Sequence, residues 1–333
     1  MTRTRPPSMA DVASAAGVSH QTVSRVLNGH AHVRAETRER VLTAIEELGY
    51  RRNQAARTLV TTQSATIGIV TTATTNFGPA STVLAIEESA RAAGYFVSLA
   101  ALGSHDPEDT GRVLDQLMNQ GVDGIIVLAP IVEVASLLDG VLLPVPIVVV
   151  AAREDAPAGT SVRYVAVDQR AGAALAARHL AGLGHERVVH VAGPRNWYDA
   201  IERVRGFADV FADGRILDAT GWDAQSGYDA GARLARDVVD GTVTAVFAAN
   251  DYLALGIIRA FWERGIRVPD EVSIAGFDGI DGSGFLVPSL TTVRQSFAAL
   301  GDAAVRGLLD PTASGADPIL PELVVRGSTT PPP

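Results

Sequence analysis

The segment VSHQTVSRVLNG spans residues 18–29. On a helix begun near His20, Val23, Val26 and Leu27 form one apolar stripe, and His20, Gln21, Ser24, Arg25 and Asn28 gather opposite it. Glutamine and arginine can pair bidentately with adenine and guanine edges. The hydroxyls of Ser19, Thr22 and Ser24 suit phosphate oxygens. A second group of reactive side chains lies far downstream, each member at or just past the end of a short apolar run. RVVHVAG leads into Trp197, Asp199 and Arg203, GWDAQSG carries Trp222, AVFAAN ends in Asn250, and SIAGFD ends in Asp278. Two of the chain's three tryptophans fall in this group. A carboxylate accepts from adjacent hydroxyls, an arginine donates in a fork, and an indole covers the apolar face of a ring. Together these make up a sugar site.

The first group needs helices to present it. Ser8 with Asp11 three residues on is a capping-box start for MADVASAA, which stops at Gly17. Val18 and Ser19 make a short turn, and Ser19 caps the helix that follows. A third helix is predicted over roughly 35–48, with Val41, Leu42, Ile45 and Leu48 inward and Gly49 past its end. Helix, tight turn and helix in so few residues is the helix-turn-helix layout, whose second helix enters the major groove. The second group needs strands. From Thr66 on, the runs IGIVT, YFVSLA, GIIVLA, IVVVA, YVAVD, RVVHVAG, AVFAAN and SIAGFD alternate with amphipathic segments. Continuous Val/Ile runs of this kind indicate parallel strands buried on both faces. The turn-rich DAPAGTSV separates two doubly wound lobes, and LTTVRQSF and ILPELVV read as returns of the chain between them. Ligands bind beyond the carboxyl ends of strands in such sheets. Asp251 is expected to cap the helix YLALGIIRAFW, Arg205 to lie on an outer helix face, and Trp262 to be core or interface.

Composition narrows the functions open to the chain. Its 333 residues suit two or three domains, and 47% hydrophobic with 20% charged residues marks a globular chain. There is no cysteine, so no disulfide, thiolate metal site or cysteine nucleophile. All 28 basic side chains are arginine, which excludes a lysine-bearing phosphate loop and Schiff-base chemistry. MTRTRPPSMA reads as no signal peptide, and VLLPVPIVVVAA is too short to span a bilayer, so a cytoplasmic protein without membrane partners is expected. The net charge of −9 is uneven. Residues 1–60 hold nine Arg against five acids, and the rest hold 19 Arg against 32 acids. A basic head on an acidic body predicts that the head meets a polyanion. No G-x-S-x-G, H-E-x-x-H, Walker A or well-placed G-x-G-x-x-G occurs, so an enzyme is not expected and neither a cofactor nor a metal is assigned.

MADVASAAGVSHQTVSRVLNG followed by VRAETRERVLTAIEELGYRRNQAARTL closely resembles the headpiece of the lactose-repressor (LacI/GalR) family of bacterial transcription regulators, almost continuously over residues 9–60. The two-lobed core of that family, similar to periplasmic sugar-binding proteins, extends the resemblance to nearly the full chain. The resemblance implies that His20, Gln21 and Arg25 read bases, and that NQAARTLV, residues 53–60, is a hinge helix whose Leu59 wedges into the minor groove. It assigns ligand contacts to Arg203, Asn250 and Asp278, an aromatic wall to Trp222 and Phe297, and a first-lobe contribution to Thr72, Asn76 and Gly78. There are departures. Ala151 stands where some sugar-responsive members carry aspartate, the segment between Phe207 and Gly221 is several residues shorter, and no heptad-bearing tail follows RGSTTPPP.

The expected layout is α/β: two doubly wound parallel-sheet lobes, periplasmic-binding-protein-like, behind an all-α helix-turn-helix domain. The headpiece is placed at 1–52, the hinge at 53–64, and the core at 65–333. Lobe 1 takes about 65–160 and 296–318, and lobe 2 about 161–295 and 319–330. The expected function is a repressor that binds a palindromic operator as a homodimer, no larger, and is released by a mono- or disaccharide effector held between the lobes. Alternatives are a sugar-binding protein without a regulatory role, and a co-repressed regulator that binds DNA more tightly with ligand.

Overall fold

A computed structural model describes residues 7–27, 30, 32–50, 63–71, 76–103, 106–128, 131–138, 140–153, 162–310 and 318–333. The chain divides into two units, residues 1–64 and 65–333.

The first unit holds α1 (Met9–Ala16), α2 (His20–Leu27) and α3 (Ala35–Leu48). Ser8 and Asp11 form the expected reciprocal capping box. Gly17 adopts φ 63°, a left-handed conformation open to glycine, and its N–H closes on the carbonyls of Ala13 and Ser14, so the chain can turn at once into α2. Val12, Ala16, Val23, Val26, Val41, Ala44 and Tyr50 make the core. The inward face of α3 is therefore Val41 and Ala44, with Ile45 partly buried, whereas Leu42 is 51% exposed and Leu48 lies at the surface. The expected inward placement of Leu42 and Leu48 is corrected: both are exposed, and Tyr50, just past the helix with its N–H on the Ile45 carbonyl, joins the core instead.

The second unit carries two sheets. The first has the order β2-β1-β3-β4-β5 and is wholly parallel. Its strands are β1 (Thr66–Thr71), β2 (Phe96–Ala101), β3 (Gly124–Leu128), β4 (Ile147–Val150) and β5 (Val162–Val165). α4 (Phe77–Ala92), α5 (Pro107–Asn119) and α6 (Val132–Leu138) connect β1 to β4. The second sheet has the order β11-β10-β9-β8-β6-β7, parallel except for β11. It is built from β6 (Val188–Ala192), β7 (Arg215–Asp218), β8 (Ala245–Ala248), β9 (Ser273–Asp278), β10 (Thr291–Arg294) and β11 (Glu322–Val324). Its helices are α7 (Gln169–Gly182), α8 (Tyr198–Ala208), α9 (Ala224–Val239) and α10 (Asp251–Trp262). A last helix, α11 (Phe297–Leu309), returns to the first lobe and packs on α4, β3 and β4.

One lobe boundary differs from the expectation. The strand within YVAVD, expected to open lobe 2 after residue 160, is β5. It pairs with β4 at the register Ile147↔Val162 and belongs to lobe 1. An apolar run does not state which sheet it joins; here the open parallel edge of β4 takes it, and Val162 and Val165 are buried there. The chain thus passes between lobes after β5, after β10 and before β11. At the first and last of these passages the strands touch, through a Val167–Ile319 bridge and an Asp168 N–H donated to the Ile319 carbonyl. Away from these passages the lobes also meet where the Val132 N–H donates to the Asn196 carbonyl at 3.0 Å. Trp197 packs against the cores of both lobes.

Candidate functional site

In the first unit, Ser19 holds the start of α2: its Oγ accepts from the Thr22 N–H at 3.2 Å and lies 2.9 Å from the Thr22 hydroxyl. Val23 and Val26 are buried, which turns the opposite face outward. Ser19, His20, Gln21 and Arg25 are exposed, and Thr22 and Ser24 are half-buried. The side chains of Gln21 and Arg25 make no hydrogen bond among the described residues, so their donors stay available for base edges. Asn28 and Leu59, with the hinge segment 53–60, lie outside the described residues, as does Thr72.

In the second unit, a cleft opens at the carboxyl ends of both sheets, the usual place of small-molecule sites in such folds. It is lined by Asn76, Gly78, Trp197, Asp199, Arg203, Trp222, Asn250, Asp278 and Phe297, all expected from sequence. Asp199 and Arg203 sit four residues apart on one face of α8. Burial raises the carboxyl of Asp199, and the Arg203 charge counters that shift.

Four buried side chains close a ring of hydrogen bonds. Arg203 donates from Nε to Gln169 Oε1 at 2.9 Å, and Gln169 Nε2 donates to Gln295 Oε1 at 2.8 Å. Gln295 Nε2 donates to Asp278 Oδ1 at 2.8 Å, and Arg203 Nη2 closes the ring on the same oxygen at 3.2 Å. Arg203 also donates to the Ala249 carbonyl, and its guanidinium lies 3.8 Å from the Phe277 ring centroid and 5.5 Å from that of Trp222. Burial pushes the Asp278 carboxyl up to about 6 against the opposing pull of Arg203 and Gln295. Asp278 adopts φ 98°, a backbone region unfavourable to side-chain-bearing residues, held by the surrounding sheet.

Gln169 and Gln295 escaped sequence reasoning. Each follows the end of a strand at a passage between lobes, in VAVDQR and VRQSF. The register Arg294↔Asp278 sets Gln295 beside the aspartate. The available signal was a polar residue just past a strand; what hid it was not knowing that both passages line the cleft.

Asn250 lines the cleft as expected, but it also takes the helix cap expected of Asp251. Asn250 is the cap of α10, accepting from the Leu253 N–H at 2.8 Å and donating to the Trp222 carbonyl at 3.0 Å. It lines the cleft while fixing the Trp222 loop. Asp251 is wholly buried: Oδ1 accepts from the Thr292 hydroxyl at 2.5 Å and Oδ2 from the Ile280 N–H at 2.8 Å. It clamps the turn that follows Asp278, and burial raises its carboxyl to about 7. A Cβ at Gly276 would stand 2.3 Å from Asp251 Oδ1, so the clamp requires glycine there. Trp222 packs edge-on to Trp197 at 5.5 Å and belongs to the lobe 2 core as well as to the cleft wall. His190, in the middle of β6, donates from Nδ1 to the Phe247 carbonyl at 3.0 Å and stacks on Phe247; burial lowers it to about 4, so it is neutral at pH 7. Arg205 is half-exposed and pairs with Glu202, as an outer-face residue should. Trp262 is 68% exposed and lies outside the core. Among the described residues, no helix is long and apolar enough to cross a membrane, and no cluster of metal-ligating side chains occurs.

The sequence matches the lacI family of bacterial regulatory proteins over residues 8–53 and a periplasmic binding protein-like domain over residues 177–329. It is 32% identical to the lactose operon repressor of Escherichia coli over 333 residues, covering 98% of this chain and 91% of that protein. The fold matches a crystal structure of the lac repressor dimer bound to operator and the anti-inducer ONPF with a TM-score of 0.87, at 31% identity, covering 98% of this chain and 100% of that one. It matches the complex of the transcriptional regulator CelR with cellobiose with a TM-score of 0.69, at 28% identity, over 97% of this chain and 99% of that one. A helix-turn-helix headpiece, a cleft at the strand ends and likeness over nearly the full length agree: the chain belongs to the lacI family of bacterial regulatory proteins.

Proposed function

We propose that the protein is a cytoplasmic, non-enzymatic transcriptional repressor that binds a palindromic operator as a homodimer and is released by a small sugar held between its core lobes. The observation that carries this reading is the buried ring of Arg203, Gln169, Gln295 and Asp278 at the cleft, in a chain that also exposes Gln21 and Arg25 on a recognition helix. Charged, preoriented donors and acceptors beside two indoles suit a polyhydroxylated ring. One recognition helix covers few base pairs, so specificity calls for two headpieces on a two-fold site, with Leu59 of each hinge at the operator centre. Exposed apolar side chains on both lobes support pairing of two chains: Leu84 and Phe96 on lobe 1, and Trp262 and Phe285 on lobe 2.

Effector binding favours one arrangement of the lobes, and tenfold release requires a preference of about 1.4 kcal/mol between states. Two of the ring's members, Gln169 and Gln295, stand on passages between the lobes, so a ligand that engages the ring acts where lobe motion must be absorbed. The test is retardation of a DNA fragment from the protein's own promoter region, with and without mono- and disaccharides such as galactosides. Sugar-dependent release is the expected result. Tighter binding with sugar would make it a co-repressed regulator, and no retardation of any operator fragment would sink the DNA-binding reading. Sedimentation should give a dimer; a stable tetramer at micromolar concentration would contradict that part.

A further inference from the structure

The charges of the cleft do not balance. All 19 arginines beyond residue 60 are among the described residues, Arg203 alone of them lines the cleft, and the chain has no lysine. Two carboxylates, Asp199 and Asp278, stand there against that one cation. Arg203 is already committed. It donates from Nε to Gln169, from Nη1 to the Ala249 carbonyl and from Nη2 to Asp278. Asp278, 6% exposed, accepts from Arg203 and Gln295 on the same oxygen, Oδ1, so that Oδ2 has no hydrogen-bond partner among the described residues. The Asp199 carboxylate makes no hydrogen bond or ion pair among the described residues. It stands close enough to Asp278 to raise that carboxyl further. Trp197 and Trp222 line the same cleft, and the face of an indole attracts cations.

We infer that the effector is an amino sugar, a polyhydroxylated ring whose ammonium group pairs with Asp199 beside Asp278. This rests on the sugar reading of the cleft and deepens it. An ammonium brings three donors and one positive charge, so it supplies both the hydrogen bonds that Asp199 lacks and the cation that the cleft lacks. A neutral sugar can offer hydroxyl donors to Asp199. It leaves two carboxylates sharing one guanidinium in a cleft from which the ligand has displaced water, and an uncompensated buried charge is costly. An N-acetylated ring has the same shortfall, because its amide is uncharged. A phosphorylated or acidic sugar adds to the negative excess and is repelled. The hydroxyl partners thus select the ring, and Asp199 selects its charge.

The experiment uses the full chain. Glucosamine, galactosamine and mannosamine are titrated by calorimetry at pH 7 beside glucose, galactose and mannose, the three N-acetyl derivatives, and the neutral disaccharides maltose, lactose and cellobiose. For whichever ring binds, the free amine should be tighter than both the neutral sugar and the N-acetyl derivative by about tenfold or more. Asp199→Asn keeps the shape and removes the repulsion with Asp278, so it should melt no earlier than the unaltered chain. It should lose most of the amine's advantage over the neutral ring. The comparison of amine with N-acetyl derivative needs no variant and decides the matter even where Asp199→Asn fails to fold. A neutral mono- or disaccharide that binds as tightly as the best amine, or an advantage untouched by Asp199→Asn, would overturn the inference and leave the sugar reading standing. Failure of every compound to bind would overturn both.

Discussion

Gln21 and Arg25 on α2 stand exposed with no side-chain hydrogen bonds among the described residues, whereas Arg203 and Asp278 in the cleft are 3% and 6% exposed and fully engaged with their neighbours. The first pair is presented by eight residues of helix and a cap. The second is held by side chains up to 126 positions apart, as in the Gln169–Gln295 bond. Recognition of DNA requires groups that can leave water and meet a large partner late, so they are carried on a simple scaffold. A small ligand offers few contacts, and its binding groups must be oriented beforehand, which calls for a network. Gln21 and Arg25 are therefore expected to be dispensable to folding, and Arg203 and Asp278 are not.

Arg203→Ala should break that contrast most strongly. It leaves the buried Asp278 carboxylate without its cation and should cost about 3–5 kcal/mol of core stability, read by denaturant unfolding. Asp278→Asn keeps the shape and the tolerance of positive φ. It should unfold later than Arg203→Ala, retain operator binding and ignore the effector. A core as stable in Arg203→Ala as in the parent would mean that the ring is not what holds the cleft. Arg25→Ala should leave unfolding unchanged and lose about 1–3 kcal/mol of discrimination at one base pair per half-site. Undiminished protection of the same operator would move the recognition helix elsewhere.

Ser19→Ala sits between the two classes, because the residue caps α2 and touches the recognition face. It should cost about 1 kcal/mol in headpiece melting and weaken binding evenly across operator variants.

The smallest effect is that of pH. Burial holds Asp278 at about 6 and Asp251 at about 7, above the ordinary carboxylate value of 3.8. Between pH 4 and 7 the folded chain therefore holds more protons at these sites than the unfolded chain. Their contribution to stability is full below about pH 4 and is lost as pH rises through 6 to 7. Effector binding has the opposite sense: Asp278 accepts from ligand hydroxyls best when ionised, so affinity should fall as pH drops through about 6. Calorimetric affinities at pH 5 and 7.5 check this, and a flat profile would remove Asp278 from ligand contact.

The headpiece was legible because its signals are local. Ser8 and Asp11, Gly17, Ser19 and the Val23/Val26 stripe each act within one or two helical turns, and the structure has all of them. The strands β1, β3, β4, β6, β8 and β9 were likewise visible as apolar runs, since burial on both faces leaves little room for polar residues, and β2 and β5 were visible too although they are only partly buried. Periodicity failed at Leu42 and Leu48, which are exposed, while Tyr50 from beyond the helix joins the core.

Sequence alone settled the fold class, the three helices of the headpiece and the strand ends that bear Asn250 and Asp278. Tertiary structure decided the rest. It placed β5 in the first sheet, brought Gln169 and Gln295 into one ring, and gave the cap to Asn250 and the buried clamp to Asp251. The physical reason is reach. Helix caps and strand patterns are fixed by neighbours a few residues away, whereas strand partners, buried hydrogen bonds and the two faces of a cleft depend on which distant segments the core brings together.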